Sequence, residues 1–60
     1  MEPIYEEPQL KLMERQHLRK ILARLAQERG IRVEELAPRG ASIDFLIDTI
    51  LDTQEQASGS

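Results

Sequence analysis

The sequence predicts an all-α protein, a small helix–short helix–helix mini-domain with a long first helix and flexible termini. Three observations carry that expectation. Leu18, Ile21, Leu22 and Leu25 fall at i, i+3, i+4 and i+7, and Ile43, Leu46, Ile47, Ile50 and Leu51 repeat the spacing, so each set lines one face of a helix. Gly30, Pro38 and Gly40 punctuate only the stretch between the two sets, where turns are needed. Aromatic residues are confined to Tyr5 and Phe45, so any core must be aliphatic, as a helical one can be.

Composition narrows the class. Sixty residues make one domain at most, near the lower limit for folding without disulfides, metal or a partner subunit. A hydrophobic fraction of 40% beside a charged fraction of 32% suits a small helical protein better than a disordered chain. Cysteine is absent, which removes disulfides and thiolate metal sites and fits a reducing compartment. No apolar run reaches the ~18 residues of a membrane span. The acidic start MEPIYEEP lacks the shape of a signal peptide. A soluble, cytoplasmic protein without a membrane partner is expected.

Residues 1–8 carry Glu2, Glu6 and Glu7 with prolines at 3 and 8 and show no periodicity, so a flexible acidic arm is expected. Ile4 and Tyr5 within it read either as a short docking motif or as part of a solvated terminus. One helical domain is expected over residues 9–54. Its first helix should start near Pro8, which a first turn tolerates, with Glu6 and Glu7 favoured by the N-terminal dipole. Nothing from Leu10 to Arg29 breaks it, giving a helix of about 20 residues on this pattern. Leu10, Met13 and His17 continue its apolar face toward the N-terminus, and Leu12 falls off that face.

Gly30 should end the first helix in a left-handed cap. Glu34-Glu35-Leu36-Ala37 reads as one or two helical turns, stopped where Pro38 forces Ala37 to be extended. Pro38-Arg39-Gly40 makes the turn, and Ser42 caps a last helix with Asp44 in its first turn. From residue 55 onward a disordered tail is expected.

Chemistry-bearing clusters are sparse. His17 is the single histidine, and without a second His or any Cys it lacks the three or four ligands of a metal site. A pair with Glu14 could be drawn, but a chain this short leaves little room for a pocket, and a boundary histidine is the simpler reading. Three isolated glycines form no phosphate loop, and Ser42 is more simply a cap than a nucleophile. Neither an enzyme nor a cofactor is expected.

Charge is more informative. From Lys11 to Arg32, seven basic residues face two glutamates, a net +5, while in the remainder Arg39 faces nine carboxylates, a net −8; together they give the −3 of the whole chain. Two readings stand: opposite charges flanking an ordinary helix seam, or a basic helix that meets an acidic partner. On the last helix Asp44, Asp48 and Asp52 stand at i, i+4, i+8, a stripe of like charges that is mildly destabilising. Phe45 lies on the same outer side. This combination reads as a protein-binding surface made of Asp44, Phe45, Asp48 and Asp52. Phe45 folding against the Pro38 turn or the first helix is the alternative. The first two turns of the long helix should overhang the domain, so Leu10, Met13 and His17 are expected to mediate a homodimer.

Two families share parts of the pattern. Residues 25–42, LAQERGIRVEELAPRGAS, resemble the start of a Cro/repressor-type helix-turn-helix domain, with its Arg-Gly-hydrophobic cap and Glu-Glu-Leu-Ala second helix. Over residues 18–51 that resemblance implies a DNA-binding transcriptional regulator with 43–51 as recognition helix, and Arg15, Arg19, Lys20 and Arg24 would supply phosphate contacts. ARLAQERGIRVEEL and IDFLIDTIL are also similar in plan to the peripheral subunit-binding domain of 2-oxoacid dehydrogenase complexes, which implies protein binding. Between the two, the aspartates of the last helix would repel phosphates, and no Arg, Lys, Asn or Gln precedes Gln54 there to read bases. The favoured expectation is therefore a small regulatory or adaptor protein that binds protein. DNA binding is the alternative.

Overall fold

A computed structural model describes residues 4–58, with side-chain environments given for 4–56. Four helices follow in order: α1 (Glu7–Lys11), α2 (Arg15–Arg29), α3 (Val33–Leu36) and α4 (Ile43–Ser58). No strand occurs among the described residues, and the protein is an all-α mini-domain. The long helices α2 and α4 pack on each other, α3 lies against α2, and α1 lies against α4.

The aliphatic spacing explains the seam. Leu18, Ile21 and Leu22 of α2 are buried against Leu46, Ile47 and Ile50 of α4, with Leu10 from α1 and Ala37 and Ala41 beside the turn. Leu25 and Leu51 are half-buried, and Ala26 is buried in their place at the far end of α2. Thr53 is buried on α4 near that end.

Local signals set the ends of the elements. Gly30 sits at φ 72°, where the Ile31 N–H donates to the Ala26 carbonyl at 3.0 Å and the Gly30 N–H to the Gln27 carbonyl at 3.1 Å. These are the two bonds of a Schellman stop, which a residue without Cβ adopts most readily. Ala37 is extended at φ −149°, ψ 127°, as the proline after it requires. Ser42 caps α4, its hydroxyl accepting from the Phe45 N–H at 3.2 Å. At the start of α3, the Arg32 N–H donates to the Glu35 carboxylate at 2.8 Å.

The expected continuous helix from Pro8 to Arg29 is instead two helices. Leu12 and Met13 close α1 with i to i−3 bonds to the carbonyls of Gln9 and Leu10, at 3.2 and 3.1 Å, and Glu14 is extended before α2 begins. The bend lets α1 fold back onto α4. Leu10 becomes completely buried while Leu12 is left 88% exposed. Full burial of a leucine is worth ~1.5–3 kcal/mol, which outweighs exchanging two helical bonds for tighter ones. The apolar overhang expected to form a dimer is therefore not there. Leu10 lies in the core, Met13 packs half-buried against it, and His17 is exposed on α2.

The termini also differ from expectation. Residues 4–8 are not a free arm: Glu7 and Pro8 belong to α1, and the Glu6 N–H donates to Gln9 Oε1 at 2.9 Å. Tyr5 packs against the core, and the side-chain amide of Gln54 holds its backbone. At the other end α4 continues to Ser58, past the expected boundary at 54. Residues 1–3 of the expected arm and 59–60 of the expected tail lie outside the described residues. Ile43, expected in the core, is 45% exposed at the first position of α4.

Candidate functional site on the outer face of α4

The outer face of α4 follows from its register. Leu46, Ile47, Ile50 and Thr53 turn inward, so residues half a turn away must face solvent. Asp44, Asp48 and Asp52 are exposed there, and Phe45 keeps 46% of its surface open. Phe45 is thus partly covered and partly open to solvent. It borders a shallow groove with Asp48, Thr49, Leu51, Asp52 and Glu55. The face is firmly built. Ser42 fixes the Phe45 N–H, the Thr49 hydroxyl donates to the Phe45 carbonyl at 2.8 Å, and the Gln56 amide donates to an Asp52 carboxylate oxygen at 3.2 Å. An apolar ring in a rim of carboxylates is suited to an apolar side chain flanked by cations. It offers no nucleophile and no acid–base pair.

Asp44, Phe45, Asp48 and Asp52 are exposed as their helical spacing implies, and Thr49, Leu51 and Glu55, not singled out from the sequence, complete the groove beside Phe45, Asp48 and Asp52. Glu55 continues the acidic row by helical spacing and could have been added to it. Leu51, a member of the expected core face, gave no such signal.

The basic residues of α2 separate into two groups. On one flank Arg15 donates through Nη2 to the Ala41 carbonyl and, at 3.5 Å, to that of Arg39, while Arg19 donates to the Pro38 carbonyl at 3.4 Å. Both arginines expected at phosphates therefore clasp the turn before α4. Arg29 likewise donates to the Thr53 carbonyl at 3.3 Å. On the other flank Lys20 and Arg24 are exposed with His17, and they line a cleft of about 200 Å³ together with Tyr5, Ile21, Leu25, Glu28 and Gln54. The four residues of the DNA alternative thus do not form one surface.

Among the described residues no group of three His, Asp or Glu is arranged to hold a metal, and no helix is long and apolar enough to cross a membrane. No family model, curated protein or solved structure matches the chain.

Proposed function

We propose that the protein is a small non-enzymatic adaptor or regulator that binds a basic helical segment of a protein through the outer face of α4. One observation carries the reading: Phe45 stands 46% exposed within the row Asp44, Asp48, Asp52. A lone exposed leucine such as Leu12 needs no explanation. An aromatic ring held on a capped helix and framed by carboxylates is a more specific arrangement, because the row of like charges works against helix stability. A partner with cations around an apolar ridge would relieve that repulsion and bury the ring.

The alternative of a helix-turn-helix DNA reader has less support. Its recognition helix would be α4, whose outer face is acidic, and two of its four phosphate contacts are engaged within the chain.

The test is calorimetric titration with a synthetic amphipathic helical peptide bearing Lys and Arg beside a leucine ridge. Phe45→Ala is expected to weaken binding by about 30-fold, equivalent to about 2 kcal/mol, with the circular dichroism of the free chain unchanged. Asp48→Asn should weaken it less and flatten its salt dependence. Equal affinity for the parent and Phe45→Ala would overturn the reading. So would sequence-specific duplex binding at sub-micromolar concentration in physiological salt.

A further inference from the structure

The cleft on the His17 flank of α2 has the properties that the outer face of α4 calls for. Lys20, Arg24 and His17 sit at its rim, spaced so that they share one side of the helix, and Tyr5, Ile21 and Leu25 form its apolar part. Arg15, Arg19 and Arg29 donate to backbone carbonyls, but among the described residues Lys20 and Arg24 have no hydrogen-bond acceptor or carboxylate partner. The wall is preformed, because the Gln54 amide holds Tyr5 by its N–H at 2.9 Å and its carbonyl at 3.0 Å. Its volume of about 200 Å³ is on the scale of a cavity that admits a benzene ring.

The cleft suits an aromatic side chain surrounded by carboxylates, and this chain carries one. Phe45 cannot enter its own cleft. Phe45 and Gln54 are nine residues apart on α4, which places them about 180° around the helix and ~14 Å along it. We propose, building on the docking role of the α4 face, that the partner is a second copy of this chain. Phe45 of one copy enters the cleft of the next between Tyr5, Ile21 and Leu25. Asp44, Asp48 and Asp52 then meet Lys20 and Arg24, with His17 beside them. The two surfaces are different and lie on opposite sides of α4, so the contact is head-to-tail and each added copy presents a fresh Phe45 and a fresh cleft. The contact is small and charged, hence weak and salt-sensitive.

Sedimentation velocity on the full chain tests this, over about 10 µM to about 1 mM, a range that brackets the dissociation constant of a small interface. The mass-average is expected to climb past that of a dimer with concentration and to fall toward the monomer in about 0.5 M NaCl. Phe45→Ala removes the plug, and Lys20→Glu with Arg24→Glu reverses the socket rim. Each variant alone should stay monomeric with an unchanged circular dichroism spectrum. Mixed, they should form pairs and nothing larger, because the Phe45→Ala copy keeps a working socket and the reversed copy keeps a working plug. A parent chain that remains monomeric at every concentration overturns the proposal. So does polymerisation of either variant, or a mixture that forms no pairs. The docking role of α4 is judged separately by the basic peptide, which should still bind the Lys20→Glu, Arg24→Glu variant. Peptide binding without self-association rejects the second copy alone, whereas loss of Phe45-dependent peptide binding rejects the docking role too.

Discussion

Gln54 uses one side-chain amide to hold both backbone polar groups of Tyr5, accepting from its N–H and donating to its carbonyl across 49 positions of sequence. The pair ties the segment before α1 to the last turns of α4. It imitates one rung of a sheet with a single side chain.

Because the clamp needs a donor and an acceptor on the same group, Gln54→Glu should keep one bond and lose the other. Each half-buried bond is worth ~0.5–1.5 kcal/mol, so Gln54→Ala is expected to lower stability by about 1–2 kcal/mol in urea denaturation and Gln54→Glu by less. Amide exchange at Tyr5 should accelerate in Gln54→Ala well before the α2 amides do.

Leu10 and Leu12 give a sharper contrast. The first is fully buried and the second 88% exposed. Leu10→Ala should cost about 2–5 kcal/mol, a large part of the stability of so small a domain. Leu12→Ala should change it by less than ~0.5 kcal/mol. A continuous helix from Pro8 to Arg29 would make the two losses similar and small, so the urea midpoints also check the bend at Leu12–Glu14.

The glycines separate in the same way. A Cβ at Gly30 or Gly40 would meet nothing within 4 Å, so space is not at issue for either. Backbone conformation decides. Gly30→Ala must hold φ 72° and should lose about 1 kcal/mol. Gly40 has no positive φ, and Gly40→Ala should gain ~0.4–1 kcal/mol by narrowing the unfolded ensemble. Thermal melts of the two variants should shift in opposite directions.

Arg15 holds the turn through one terminal nitrogen, Nη2, at the end of a side chain longer than that of lysine. Arg15→Ala is expected to lower stability by about 1–2 kcal/mol, with Arg15→Lys recovering only part. Asp48→Asn should instead raise stability by ~0.2–0.5 kcal/mol at low salt, and the gain should disappear at high salt as like-charge repulsion is screened.

What the sequence reveals here is what neighbours in the chain decide. Gly30, the Ala37–Pro38 stop and the Ser42 cap are each fixed by contacts within a few residues, and each stands where the pattern places it. The outward position of Asp44, Phe45, Asp48 and Asp52 follows from the period of one helix. The bend at Leu12–Glu14 has no Gly or Pro to announce it, since its cause is the distant surface of α4 that covers Leu10. The same holds for Tyr5 and Gln54, and for the division of the arginines. Arg15 and Arg19 read as free cations until folding brings the carbonyls of Pro38, Arg39 and Ala41 beside them.

The packing of α1 on α4 also sets an order of events during translation. α1 leaves the ribosome before α4, the helix that covers it, so a nascent chain carries Leu10 and Tyr5 bare while α2 and α3 already have each other. α1 can settle only after Gln54 has emerged. Until then the segment from Tyr5 to Leu10 stays uncovered together with the α2 face of Leu18, Ile21 and Leu22, and its docking on α4 is a closing step of folding.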